Sequence, residues 1–178
     1  VEQYVIGAEQ SVETIVWQGR HYHVGMADRA FGYHPFHIET AHFDPSELPD
    51  ETQRRIYEVV DAAADSLGID FGPAKADMIL TRDGPMILEM PARLSGGSHS
   101  QYTTPLSSGK HPIKAVLGLA VGRPLDESQL RQSKDLVAVC SGIFPPPGLI
   151  RAVHGVDAAK ALPGVEEVFV TRGPGQRI

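Results

Sequence analysis

Asp77, Glu89 and Arg93 are the residues of this chain whose types and spacing best suit chemistry on an anion. They lie in Ala76-Asp77-Met78-Ile79-Leu80-Thr81, Arg82-Asp83-Gly84 and Pro85-Met86-Ile87-Leu88-Glu89-Met90-Pro91-Ala92-Arg93. Asp-Gly between apolar runs is a strong hairpin signal, and a turn centred on Asp83 sets Asp77 opposite Glu89. Directly opposed cross-strand residues have Cβ atoms about 4.5–5.5 Å apart, and like charges there repel. A hard divalent cation such as Mg²⁺ relieves that repulsion, because it favours oxygen ligands and leaves room for waters and phosphates. The alternative is an exposed pair neutralised by Lys75 and Arg93. A one-residue slip in register would send the two acids to opposite faces. The string that follows, Arg93-Leu94-Ser95-Gly96-Gly97, adds a guanidinium and paired glycines that let backbone approach a ligand, which suits an anion and its metal.

These residues need elements to position them. Residues 11 to 17 alternate as a strand, and the pattern resumes after Gln18-Gly19 through about Ala27, which predicts a hairpin. Residues 28 to 49 show no clear period and read as a loop. Asp50 reads as an N-cap with Gln53 three positions on. Ile56, Val59, Val60, Ala63 and Leu67 share one helical face, and Gly68 supplies a stop. The carboxylate hairpin follows, then a Gly/Ser/Thr-rich loop from Ser95 to Lys110. Pro112 opens a second helix to about Val121, ended by Gly122 and Pro124. Beyond the polar stretch Asp126 to Lys134, residues 136 to 144 and 165 to 170 read as strands and 157 to 162 as a short helix.

The 178 residues suffice for one domain or two small ones, and a net charge of −6 gives no bulk attraction to nucleic acid. No apolar stretch approaches the roughly 20 residues needed to cross a bilayer. The lone Cys140 excludes an internal disulfide framework and fits a reducing cytosol, with a small-hydrophobe role favoured over a nucleophilic one. Val1-Glu2-Gln3-Tyr4-Val5 begins in strand-like sequence without an initiator Met, and the chain stops just after Gly173-Pro174-Gly175, so it reads as a fragment.

Residues 1 to about 122 resemble the C-terminal half of the ATP-grasp domain of carboxylate-amine ligases, biotin carboxylase and D-alanine-D-alanine ligase. The resemblance rests on Glu2-Gln3-Tyr4-Val5 and Ile6-Gly7-Ala8-Glu9-Gln10-Ser11-Val12, and on the stretch 76–97 quoted above. It implies an α+β fold: an antiparallel sheet with packed helices over 1–124, a linker over 125–135, and part of a small α/β C-terminal domain over 136–178. It also implies roles. The backbone of Glu2, Tyr4 and Val5 would hold adenine, Glu9 the ribose hydroxyls, and Ile79 and Leu88 would sandwich the base. Asp77 and Glu89 match magnesium ligands, and Arg93 the arginine that steadies an acyl-phosphate. Among the subgroups, L-amino acid (dipeptide) ligases fit best. His42, in Ile38-Glu39-Thr40-Ala41-His42, resembles their substrate-side histidine, and Gly96 sits where their backbone faces the reacting phosphoryl group. Phe144-Pro145-Pro146-Pro147-Gly148 and Leu162-Pro163-Gly164-Val165 are similar to their C-terminal domain.

The implied activity is amide formation from a small-molecule carboxylate and an amine, amino acids by the resemblance, with ATP and Mg²⁺ and no nucleic-acid or membrane partner. A homodimer is compatible with it. Ser98, His99, Gln101 and Tyr102 are candidate substrate contacts. The family usually carries Glu-x-Asn on the second strand, whereas this chain has Glu89-Met90-Pro91. Proline offers no ligand atom, which leaves one firm Mg²⁺ and a weaker second. The alternatives are a biotin-carboxylase-like or one-carbon ATP-grasp enzyme, and a non-catalytic nucleotide-binding module. His21, His23, His34, His37 and His42 also crowd into 22 residues. Zinc ligation is a rival reading there, and solvated strand and loop positions are the plainer one.

Overall fold

The computed structural model describes residues 1–178, which divide into two compact units, Val1–Gly142 and Ile143–Ile178. The first is built on one six-stranded sheet with strand order β5-β4-β1-β2-β3-β6, every pair antiparallel. The strands are β1 Ala8–Trp17, β2 Arg20–Gly32, β3 Ile38–Asp44, β4 Phe71–Thr81, β5 Gly84–Glu89 and β6 Ala138–Ser141. The architecture is the α+β class expected from the sequence. β1 and β2 join through Gln18-Gly19, both at positive φ (52° and 72°), a two-residue turn whose twist suits the flanking strands.

β1 is central and buried on both faces, and its alternation decides what lies where. Val12 and Val16, with Met26 of β2 and Ala74, Ala76 and Met78 of β4, pack against α1 (Asp50–Ser66) through Ile56, Val60 and Ala64. Each such fully buried Val or Ile contributes roughly 1.5–3 kcal/mol of transfer free energy. Ile15 faces the other way and joins Val24 against Ala115 and Leu119 of α3 (Pro112–Ala120). The same parity puts Ser11 and Glu13 of β1 beside their register partners Asp77 and Lys75 of β4, on the face away from α1.

Several local expectations change. The stretch 28–49 is not a loop: β2 runs on to Gly32, and β3 pairs with it. A bulge between Ala30 and Phe31 breaks the period-two pattern, and polar residues on the inner surface disguise it further. The Ser95–Lys110 loop holds a π-helical turn, His99–Thr103, leading into α2, Thr104–Ser107. Its Ser and Thr hydroxyls bond nearby carbonyls, as Ser107 and Ser108 do to Thr104, which lets polar residues be buried in a helical segment. α1 is capped by Pro49 rather than Asp50, which occupies the first turn, and Leu67 lies exposed beyond the last turn. Gln53 does reach back, donating to Leu48 O at 2.8 Å.

Residues 1–6 form no strand, having no partner strand beside them. They lead into Gly7, where an added Cβ would stand 2.3 Å from Leu80 O and 2.9 Å from Ile79 Cγ1, so only glycine crosses the end of β4 here.

The expected linker 125–135 belongs to the first unit. Leu125, just before the 3₁₀ turn Glu127–Leu130, and Leu130, its last residue, pack on the Ile15 cluster. Residues 138–141 complete the sheet against β3, so the second unit begins at 143 rather than 136. That unit contains α4 (Val156–Lys160) and a bridge between Leu149 and Arg177. The strand expected over 165–170 does not form, since no strand lies alongside to accept its hydrogen bonds.

Candidate functional site

Asp77 stands opposite Glu89, but by an unexpected route. The hairpin turn is the two-residue loop Arg82-Asp83, closed by Thr81 opposite Gly84. A regular ladder from that turn would bring Leu88 opposite Asp77. A bulge between Asp77/Met78 and Ile87/Glu89 absorbs Leu88 and restores the carboxylate pair. Asp77 is buried, while the Glu89 side chain is 58% exposed.

The like charges are compensated from within the chain. The Lys75 ammonium forms an ion pair with Asp77 Oδ2 and lies 3.5 Å from Glu89 Oε1. Arg29 of β2 approaches Asp77 Oδ1 at 3.0 Å, Glu39 Oε2 at 2.7 Å and Glu9 Oε2 at 3.5 Å, so one guanidinium ties three strands together. The Glu39 carboxyl would be raised by burial, but hydrogen bonds from His42 and Arg29 and their charges bring it down to about 2. Arg29, Glu39, Lys75 and Asp77 line a cleft of about 190 Å³ with His42, Arg93, Ser95, Gly96, Gly97 and His99. Four basic groups (Arg29, Lys75, Arg93, His99) face two carboxylates (Glu39, Asp77) in that lining, the balance of an anion site.

The floor of the cleft is fixed by buried acids. Glu13, fully buried, accepts from Ser95 N–H at 2.6 Å and Ser100 Oγ at 2.5 Å. Asp44 holds His99 Nε2 at 3.0 Å and accepts from Thr104 Oγ1 at 2.8 Å. Burial would lower the His99 pKa, but the hydrogen bond and charge of Asp44, with Glu13 adding, raise it above its ordinary value. The ring of His42 meets that of His99 edge-on at 5.7 Å. His42 Nδ1 faces Glu39 Oε1 at 3.6 Å and Nε2 faces Thr103 Oγ1 at 3.3 Å. An ionised Glu39 at Nδ1 favours the tautomer with the proton there and leaves Nε2 as the acceptor.

Of the residues singled out from the sequence, His42, Asp77, Arg93 and Gly96 line this one cleft. Glu9 joins it through Arg29, with His37 Nε2 at 2.5 Å on its other oxygen, and Glu89 joins through Lys75. Ile79 is buried beneath Gly7. Leu88 and Tyr4 are 48% and 80% exposed, and Glu2 and Val5, like them, lie outside the cleft. Sequence reasoning missed Arg29, Glu39, Glu13 and Asp44. The available signal was the polar alternation Glu9, Ser11, Glu13 on β1 and Lys75, Asp77 on β4, in strands whose other face is apolar. His21 and His23 pair with Asp61 and Asp65 of α1 (2.9 Å for His23–Asp61 and His21–Asp65), joining helix to sheet. His23 borders a groove of about 270 Å³ on α1, lined by Asp50, Arg54, Tyr57, Glu58 and Asp61, in which carboxylates outnumber the one arginine.

Asp77 and Glu89 suit one divalent cation: buried Asp77 Oδ1 has an ion-pair contact with Arg29 but accepts no hydrogen bond, and a second carboxylate stands across the ladder. No set of three His, Cys, Asp or Glu side chains converges to hold a metal ion. No helix is long and apolar enough to cross a membrane.

The acid-bearing hairpin, the Gly96-Gly97 loop and the basic cleft thus lie together on the sheet of the first unit. Residues 1–101 match the family model for the ATP-grasp domain, and the chain belongs to that family. Residues 142–178 match the model for L-amino acid ligase C-terminal domain 2. The chain is similar to the crystal structure of L-amino acid ligase from Bacillus licheniformis, with TM-score 0.87 and 28% identity over 99% of this chain and 46% of that one. It is 30% identical over its whole length to uncharacterized protein y4rH of Sinorhizobium fredii, and spans 36% of that protein. It is 27% identical to carnosine synthase 1 of Gallus gallus over 68% of this chain and 13% of that one. The chain thus spans less than half the length of each of these relatives.

Proposed function

We propose that the protein containing this chain is an ATP-dependent carboxylate-amine ligase that forms an amide bond through an acyl-phosphate, with amino acids as substrates. The observation that carries this reading is the basic cleft in which Asp77, Arg93, His42 and the Gly96-Gly97 backbone converge. The similarity to the Bacillus licheniformis L-amino acid ligase supports amino acids as the substrate class.

In this reading a substrate carboxylate attacks the γ-phosphate of ATP, ADP leaves, and an amine displaces phosphate. Asp77 and Glu89 would hold Mg²⁺, which when bound neutralises phosphate charge. Arg93 takes the negative charge of the transferring phosphoryl group, where a planar guanidinium can bond two oxygens at once. Gly96 and Gly97 let backbone N–H groups approach that group, and Gly97, at φ +58°, lies beside the His42 ring. His42, oriented by Glu39, accepts the amine proton at Nε2 once Thr103 yields its hydrogen bond. Glu9 would reach the ribose, and Glu2, Tyr4, Val5, Ile79 and Leu88 the adenine. The unpaired Cys140 supports a cytoplasmic setting.

The deciding experiment is amine-dependent phosphate release by the full-length protein across a panel of amino acids. Release that requires both a carboxylate and an amine is the expected result, and Glu89→Gln should abolish it with folding intact. Intact ATP binding with no partner-dependent release would overturn the ligase reading.

A further inference from the structure

We propose that the Lys75 ammonium is a resident cation that takes the place of one of two divalent ions at the Asp77–Glu89 pair, so that the nucleotide site holds a single metal ion. The proposal rests on the ligase reading and sharpens its metal requirement.

The geometry has two halves that meet. Lys75 lies two residues before Asp77 and Pro91 two after Glu89, the last pair of the β4–β5 ladder, so the two stand just beyond its end. Lys75 N–H donates to Pro91 O at 3.1 Å, which fixes them side by side. Position 91 offers no ligand atom, because proline has neither a side-chain donor nor an acceptor. Directly across from it, position 75 supplies a positive charge. That ammonium forms an ion pair with Asp77 Oδ2 and lies 3.5 Å from Glu89 Oε1, the spanning contact a bridging cation would make.

Lys75 is itself buried, with 8% of its surface exposed, so leaving its carboxylates would strand a buried charge without a partner. Four carboxylates, Asp77, Glu89, Glu39 and Glu9, face two cations, Lys75 and Arg29, which leaves a net negative charge of two in the cluster. That surplus attracts one divalent ion, which would share Asp77 with Arg29 and take the free Glu89 oxygen, while a second ion would face the ammonium and the guanidinium at close range. Lys75 is therefore a positioning and charge-compensating residue, and the Pro91 deficit and the Lys75 gain are two sides of one exchange.

The test counts tightly bound Mn²⁺ on the full-length protein by electron paramagnetic resonance, with β,γ-imido-ATP present. One ion per chain is expected for the wild type and for Pro91→Asn. Lys75→Met, and more so Lys75→Met with Pro91→Asn, should bind a second ion at least about tenfold more tightly than the wild type does. Two tight ions in the wild type would overturn the proposal, as would a count of one in a folded double variant. Should Lys75→Met fail to fold, Lys75→Gln takes its place, and the wild-type count is decisive without any variant. A wild type that binds neither β,γ-imido-ATP nor Mn²⁺ would instead sink the ligase reading beneath the proposal.

Discussion

Glu13 and Ser95 are joined across 82 positions of sequence by a 2.6 Å hydrogen bond from the Ser95 N–H to a carboxylate with no exposed surface. With Ser100 Oγ on the same oxygen, the central strand fixes both ends of the segment that contains Gly96 and Gly97. Glu13→Ala removes the acceptor and opens a cavity, and should cost about 3 kcal/mol. Hydrogen exchange should show protection lost first at Ser95 and the turn after it, whereas Glu13→Gln, which keeps an acceptor, retains most of it. Unchanged protection in Glu13→Ala would rule out the anchoring role.

The Asp44–His99 pair makes stability depend on pH on both sides. His99 has a raised folded pKa, so its contribution is complete below its ordinary value of 6.5 and is lost as pH rises through the folded value. Burial would raise Asp44, but His99 and its hydrogen bonds lower it. Its contribution is therefore complete above its ordinary 3.8 and is lost as pH falls through the lowered value. Asp44→Asn should destabilise by about 3 kcal/mol near pH 5.5 and by less near pH 9, because at low pH a buried imidazolium loses its partner. Urea melts at the two pH values check this, and an equal loss at both would show that the ion pair contributes nothing.

Arg29 governs the acid limb. Glu39, held at about 2 against an ordinary 4.5, contributes stability that is present above 4.5 and lost as pH falls toward 2. Arg29→Lys cannot bond Glu9, Glu39 and Asp77 together, because an ammonium lacks the planar fork. The expected outcome is a Glu39 titration moved upward in carbon-detected NMR and an acid transition beginning at higher pH. A Glu39 titration left in place would mean that His42 alone sets it.

Much of the first unit is legible in the sequence because local signals and tertiary partners agree. The Gln18-Gly19 turn, the Ile56 and Val60 face of α1 and the Gly68 stop all hold. The legibility ends where polar residues face inward. β3 and the end of β2 carry Arg29, Glu39, His42 and Asp44 toward a cleft or one another, so their strands lack the apolar alternation that would announce them. The buried helical turn from His99 to Ser107 is similarly written in Ser, Thr and His, which favour loops until Glu13 and Asp44 satisfy them. The residues found in advance were those within one hairpin and the loop after it, with Glu9 and His42 added only through the family resemblance. The ones missed meet only through strand pairing over long sequence distances.

The bulge at Leu88 gives the β4–β5 hairpin mechanical slack. With a strictly regular ladder, any one-residue change in turn length would turn Glu89 to the far side of the sheet. Here one residue of strand length is already held in reserve next to the acids. Removing Leu88 would leave a regular ladder with the same two carboxylates face to face, and the length of the turn and the placement of the acid pair can therefore drift separately in related chains.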